Sequence, residues 1–154
     1  MNFEEIEVKL NNPYPKIIDA ADDRETVAIL KNLATSKSGE LGGILQYTYQ
    51  SVVSNKVNED ISSIFEEIGI VEMMHFDLLM NAIVDFGGVP KYEDSIGNPF
   101  NVSNINYSLK LKDMLQGNIK DEQVAIENYS RAIDRVKNAS LKDLLERIEN
   151  KEKK

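Results

Sequence analysis

Two stretches of this chain set a carboxylate into an apolar helical stripe with matching neighbours. Residues 40–47 read E-L-G-G-I-L-Q-Y, and residues 122–129 read E-Q-V-A-I-E-N-Y. Aligned on the glutamates, Glu40 pairs with Glu122, Gly43 with Ala125, Ile44 with Ile126, Gln46 with Asn128 and Tyr47 with Tyr129. A second glutamate follows each copy at a similar distance: Glu72 after Glu40, and Glu152 after Glu122. Glu72 opens an E-x-x-H with His75. A carboxylate in a helix core is costly unless something neutralises it. A duplicated set of such carboxylates points to a pair of metal ions.

The i, i+3 spacing stacks Glu72 and His75 on neighbouring turns, so that both reach one ion pair. Gly43 and Ala125 follow the single glutamates by one turn, and their small side chains leave room for ions or a bound dioxygen species. Tyr47 and Tyr129 lie two turns along and are placed to hydrogen-bond the carboxylates. Plainer readings exist for each residue taken singly. An E-x-x-H around a lone histidine arises by chance in about one such chain in ten. Tyr47 and Tyr129 are by default core aromatics. Glu152 stands equally to be solvated. Glu66, Glu67, Glu127, Glu146 and Glu149 are assigned to exposed or boundary positions. The conjunction of Glu40, Glu72, His75 and Glu122 is what carries the metal reading.

The elements that must position them are helices. Asn12, Pro13 and Pro15 break periodicity, so residues 1–21 read as an N-terminal arm and 22–154 as the folded unit. Asp22-Asp23-Arg24-Glu25 resembles a capping box and starts a helix whose pattern runs to about Asn55. Asn58-Glu59-Asp60 opens a second helix that ends at Gly87-Gly88. Its face is Ile61, Phe65, Ile68, Glu72, His75, Leu79, Ile83 and Phe86. Residues 88–106 form a long connection. A third helix runs from about Tyr107 to Lys137 on a stripe of Leu115, Ile119, Glu122, Ile126, Tyr129, Ile133 and Val136. A fourth starts near Ser140 with Leu141, Leu145 and Ile148 leading to Glu152. Two αα-hairpins joined by one long crossover make an all-α, ferritin-like four-helix bundle.

Composition agrees. The 154 residues are the size of one domain, 42% hydrophobic and 29% charged. A net charge of −8 and a pI near 4.7 speak against nucleic acid as a partner. The absence of cysteine excludes disulfides, iron–sulfur clusters, a rubredoxin-type iron site and a thiol nucleophile. The acidic N-terminus has no signal-peptide core, and no apolar run approaches the ~20 residues that cross a bilayer. A cytoplasmic protein without membrane or nucleic-acid partners is expected.

The stretches G-E-L-G-G-I-L-Q-Y-T-Y-Q at 39–50, I-V-E-M-M-H-F-D-L-L at 70–79 and G-N-I-K-D-E-Q-V-A-I-E-N-Y at 117–129 resemble the rubrerythrin-like and manganese-catalase-like branch of the ferritin-like superfamily. The resemblance covers about residues 22–148. It implies a carboxylate-bridged site for two iron or two manganese ions, reacting with hydrogen peroxide or dioxygen. Glu40 and Glu122 would be the single carboxylates, and Glu72 with His75 the first E-x-x-H. Three departures stand out. No cysteine-bearing electron-transfer module is present. Ala125 stands where rubrerythrins carry an additional glutamate, which puts their ligand exchange in doubt. In the last helix Glu152 matches the ligand glutamate, but its histidine would be the residue after Lys154, so either the chain continues or the site lacks that ligand.

The expected activity is reduction or disproportionation of hydrogen peroxide, of peroxidase or catalase type, with a separate electron donor for a peroxidase cycle. The alternatives are a ferroxidase or iron-binding protein without peroxide turnover, and a degenerate bundle without enzymatic activity. A fourth helix of about fifteen residues is half the length of its neighbours. It is expected to leave apolar surface around Leu30, Ile83 and Phe86 uncovered, and hence to favour a homo-oligomer.

Overall fold

The computed structural model describes residues 13–152, with side chains to residue 150. Among the described residues five α-helices form: α1 (Arg24–Thr35), α2 (Glu40–Ser54), α3 (Glu59–Asp85), α4 (Leu111–Arg135) and α5 (Ala139–Glu152), with a short 3-10 helix at Val102–Asn104 in the crossover. Among the described residues the only strand-like feature is an isolated bridge between Glu93 and Pro99. No helix there is long and apolar enough to cross a membrane. The architecture is the ferritin-like bundle: α1 and α2 together form the first helix of one hairpin with α3, and α4 and α5 form the second.

The starts of α1, α3 and α5 are set by a side chain. Asp23 accepts from the amides of Glu25 and Thr26 at 3.0 and 3.3 Å, and Asn58 accepts from Ile61 N at 3.1 Å. Asn138 accepts from Leu141 N at 3.0 Å and opens α5. Gly87, at φ 85°, ends α3 with a left-handed residue, and Gly88 N donates to Ile83 O at 2.8 Å. The third helix starts at Leu111 rather than near Tyr107, because Asn106 and Ser108 use their side chains in local turns instead.

The long first helix expected from the pattern is broken. Ser36 leaves helical geometry at ψ 173°, its amide still bonded to Asn32 O, and Gly39 N then donates to Ser36 O at 2.9 Å. Gly39 is needed for close approach: a Cβ there would lie 2.8 Å from Leu33 O and from the Ala34 carbonyl carbon. The jog restarts the helix at Glu40.

The core has two parts. Where α5 is present, four helices meet: Leu30 and Leu33 of α1, Leu79 and Ile83 of α3, Tyr129 and Ala132 of α4 with Val136 just past its end, and Leu141, Leu145 and Ile148 of α5. Beyond the reach of α5 three helices meet around Tyr47, Phe65 and Met114. Two expectations are corrected here. Leu30, Ile83 and Phe86 are buried, because α5 runs antiparallel to α4 from its C-terminal end and therefore covers that end of the bundle. The thinly covered end is the other one, where Leu115 and Ile119 of α4 are 42% and 61% exposed. Of the stripe expected there, Tyr129 and Val136 are buried and Glu122, Ile126 and Ile133 half-buried, and Met114, Asn118 and Ala132 are buried as well.

The crossover between α3 and α4 is anchored at several points. Lys31 Nζ meets Glu93 Oε1 at 3.0 Å, and Ser95 N donates to Asn32 Oδ1 at 2.9 Å. Gln46 of α2 exchanges two bonds of 2.7 Å with the backbone of Asn106. Gly39→Ala is expected to lose roughly 1–3 kcal/mol in urea unfolding, since its obstacle is backbone that cannot swing aside. Gly42→Ala, whose Cβ would meet nothing closer than 3.4 Å, is expected to be neutral or stabilising in the same measurement.

Candidate metal centre

Glu40 from the first turn of α2, and Glu72 and His75 from the middle of α3, are all buried. They offer one ligand atom each, all within 4.8 Å of one another. His75 Nδ1 lies 3.8 Å from Glu40 Oε2 and 3.8 Å from Glu72 Oε2. Those gaps are too long for hydrogen bonds. They suit three ligands around one cation, which sits roughly 2.0–2.6 Å from each donor. Two carboxylates and an imidazole form an oxygen–nitrogen donor set of the kind iron and manganese accept, so the residues fit a metal.

Glu122 of α4 is half-buried and faces the same space. With Glu40, Glu72, Gly43, Tyr47 and Ala125 it lines a cavity of ≈ 110 Å³. A Cβ on Gly43 would come within 3.4 Å of Glu72 Cγ, so the glycine leaves that carboxylate its place. Glu152 lies on the last turn of α5 and its side chain falls outside the described residues, so its part in the site is not placed.

The two tyrosines exchange partners. Tyr47 Oη donates to Glu122 Oε1 at 2.9 Å, and Tyr129 Oη donates to Glu40 Oε1. α2 and α4 run antiparallel, so the residue two turns beyond one glutamate lies beside the other glutamate. Each copy of the repeat therefore orients the carboxylate of its twin. A turn further, Gln50 and Asn118 exchange side-chain amide bonds of 2.9 and 2.7 Å, buried between the same helices. The sequence reading missed that pair, although its spacing of three from Tyr47 and of four from Glu122 puts it on the same faces.

Other contributors had no such signal. Tyr14, in the aperiodic N-terminal segment, places its hydroxyl 3.2 Å from His75 Nε2. Arg147 of α5 is buried with its guanidinium 4.2 Å from the centroid of the Tyr14 ring. Glu149, expected at an exposed or boundary position, is buried, and Ser130 Oγ donates to it at 2.9 Å across the α4–α5 hairpin. Glu66, Glu67, Glu127 and Glu146 are exposed, in keeping with the solvated faces assigned to them.

Residues 31–154 match the family model described as Rubrerythrin. A manganese catalase from Anabaena PCC7120 superposes with a TM-score of 0.84 at 22% identity, over 94% of this chain and 73% of that one. The bacterioferritin of Desulfovibrio desulfuricans superposes with a TM-score of 0.72 at 20% identity, over 85% of this chain and 76% of that one. No curated protein matches the sequence.

Without a cation the centre is electrostatically uneasy. Burial, and then the negative charge of Glu40 alongside, push Glu72 up to about 8, with His75 pulling the other way. Between the ordinary carboxyl range and about 8 the unfolded chain has given up this proton while the folded chain keeps it. The unfolded state then binds fewer protons, so stability falls as pH rises, by at most about 1.4 kcal/mol per pH unit. Urea midpoints of the metal-free protein should therefore drop between about pH 5 and 8, and Glu72→Gln should flatten the profile. A midpoint that stays level in the unsubstituted protein would show that Glu72 titrates normally.

Proposed function

The chain belongs to the rubrerythrin family, and on that footing we propose that it is a two-metal carboxylate oxidoreductase acting on hydrogen peroxide. The observation that carries the reading is the buried cluster of Glu40, Glu72 and His75 opening on a small cavity shared with Glu122. These four residues would hold the metals, with Glu152 proposed as a further ligand. A pair of iron or manganese ions held there would supply the change of oxidation state: disproportionation would need only peroxide, and reduction would draw its electrons from a separate donor.

The chain's own residues prepare the place. Tyr129 takes one oxygen of Glu40 and leaves Oε2 facing His75, so the carboxylate presents a defined edge. Tyr47 does the same for Glu122 through Oε1. Such outer hydrogen bonds fix ligand direction before any ion arrives. Gly43 and Ala125 keep the wall of the cavity small, so that room is left for a peroxide-sized molecule. The surrounding apolar core, with Phe65, Leu79 and Ile83 on the face of α3 that carries the ligands, keeps bulk water from the ligand edge.

Anaerobic reconstitution with Fe(II) or Mn(II) should load close to two ions per chain. Loaded protein should consume hydrogen peroxide, followed by peroxide assay and by an oxygen electrode. Glu40→Ala and His75→Ala should each lower metal affinity by at least tenfold. Failure to bind any transition metal tightly would remove the reading altogether. Iron-stimulated oxygen uptake without peroxide consumption would replace it with an iron-oxidising one.

A further inference from the structure

We propose that Tyr14 is a positioning residue for His75, so that the N-terminal segment is a working part of the metal site. The inference rests on His75 being a ligand. Its content is which ring nitrogen faces the metal, and what keeps it there.

A neutral imidazole carries one proton, on Nδ1 or on Nε2. His75 Nδ1 is the atom turned toward Glu40 and Glu72. A proton there would aim an N–H into the site and remove the lone pair a metal needs. The Tyr14 hydroxyl oxygen stands 3.2 Å from Nε2, at a histidine with no solvent exposure. A phenolic oxygen accepts as well as donates, and with a metal on Nδ1 the proton stands on Nε2, where Tyr14 Oη accepts it. The two rings meet edge to face, with centroids 6.0 Å apart and planes at 81°, which also resists rotation of the imidazole.

Tyr14 is itself held from several sides. Arg147, buried on α5, lies over its ring at 4.2 Å. Pro13 and Pro15 flank it, fixing two backbone dihedrals and biasing Tyr14 toward extended geometry. Four residues on, Ile18 N donates to Ser140 Oγ at 2.9 Å, and Asn138 Nδ2 donates to Ile18 O at 2.9 Å. The segment thus lies along α5, and Tyr14 reaches past it to α3. A ligand histidine usually leans on a carboxylate, a carbonyl or water. Here the support comes from a hydroxyl on a segment outside the helices.

Linkage makes the effect reciprocal. Metal at Nδ1 enforces the Nε2–H form that Tyr14 accepts, so metal should tighten the docking of the segment. His75 is the single histidine of the chain, so its nitrogen signals need no assignment by mutation.

The test uses the full chain with Zn(II), a diamagnetic probe, in chelator competition, with nitrogen-15 NMR of the imidazole and trypsin cleavage after the exposed Lys16. The unsubstituted protein should coordinate zinc through Nδ1, show a slowly exchanging Nε2–H, and be cleaved more slowly at Lys16 once loaded. Tyr14→Phe keeps the ring between Arg147 and His75 and removes the hydroxyl alone. It should lower zinc affinity about 10–100-fold, speed exchange of Nε2–H and abolish the zinc-dependent protection, with helix content unchanged. Equal affinity and unchanged Nε2–H exchange in Tyr14→Phe would overturn the role of Tyr14 and leave the metal site standing. No zinc at His75 in the unsubstituted protein would overturn both.

Discussion

Two carboxylates and an imidazole share one buried layer of this bundle, and the neighbouring structure is shaped by how that layer is kept. Glu40 and Glu72 lie against the same face of His75 with almost no exposure. Like charges so placed cannot both ionise in a dry core without a counter-charge. Burial first, and then the charge of Glu40 alongside, push Glu72 up to about 8. A cation removes that conflict, because the same charge that repels a second carboxylate attracts a metal. Tyr129 on Glu40 and Tyr14 on His75 would then support the proposed ligand set.

The site stands at the junction of two differently built halves. On one side four helices close a dry core, with Leu30, Leu79, Leu145 and Ile148 fully buried. On the other side three helices pack around Phe65 and Met114, and Leu115 and Ile119 stay exposed. On the four-helix side Tyr14 meets His75, and Arg147 of α5 lies over the Tyr14 ring. The cavity is walled by the jog at Lys37–Gly39, by Phe100 and Ile105 of the crossover, and by α4. Because Gln46, Asn32 and Lys31 anchor the crossover, this wall is a fixed part of the fold. Long loops are tolerated in compact domains mainly when they carry such a task.

The duplication has a physical use. A glutamate followed by a tyrosine two turns later does little on one helix, where the two side chains are far apart along the axis. Two such helices packed antiparallel bring each tyrosine to the other glutamate, and one sequence pattern then orients two carboxylates. Gln50 with Asn118 continues the same register. The hairpins need not share any other residue for this to hold.

The all-α character, the two hairpins, the crossover and the inward set of Glu40, Glu72, His75 and Glu122 were legible in the chain itself. Helical period, caps and glycine stops are local, and a carboxylate among apolar neighbours stands out in any reading. What local pattern could not contain was decided by packing. Apolar period alone ran straight through Ser36–Gly39, since nothing in it reports that Gly39 must lie against the Leu33 and Ala34 backbone. Leu115 and Ile119 fitted the stripe of α4 but lie beyond the described part of α5 and are exposed. Glu149 was expected at an exposed or boundary position and is buried against α4. Tyr14 had neither period nor motif, and only the path of its segment along α5 brings it to His75, a contact 61 residues away in the chain. Spacing along one helix specifies which residues share a face; which end of that face is covered, and by what, depends on the lengths and directions of elements distant in sequence.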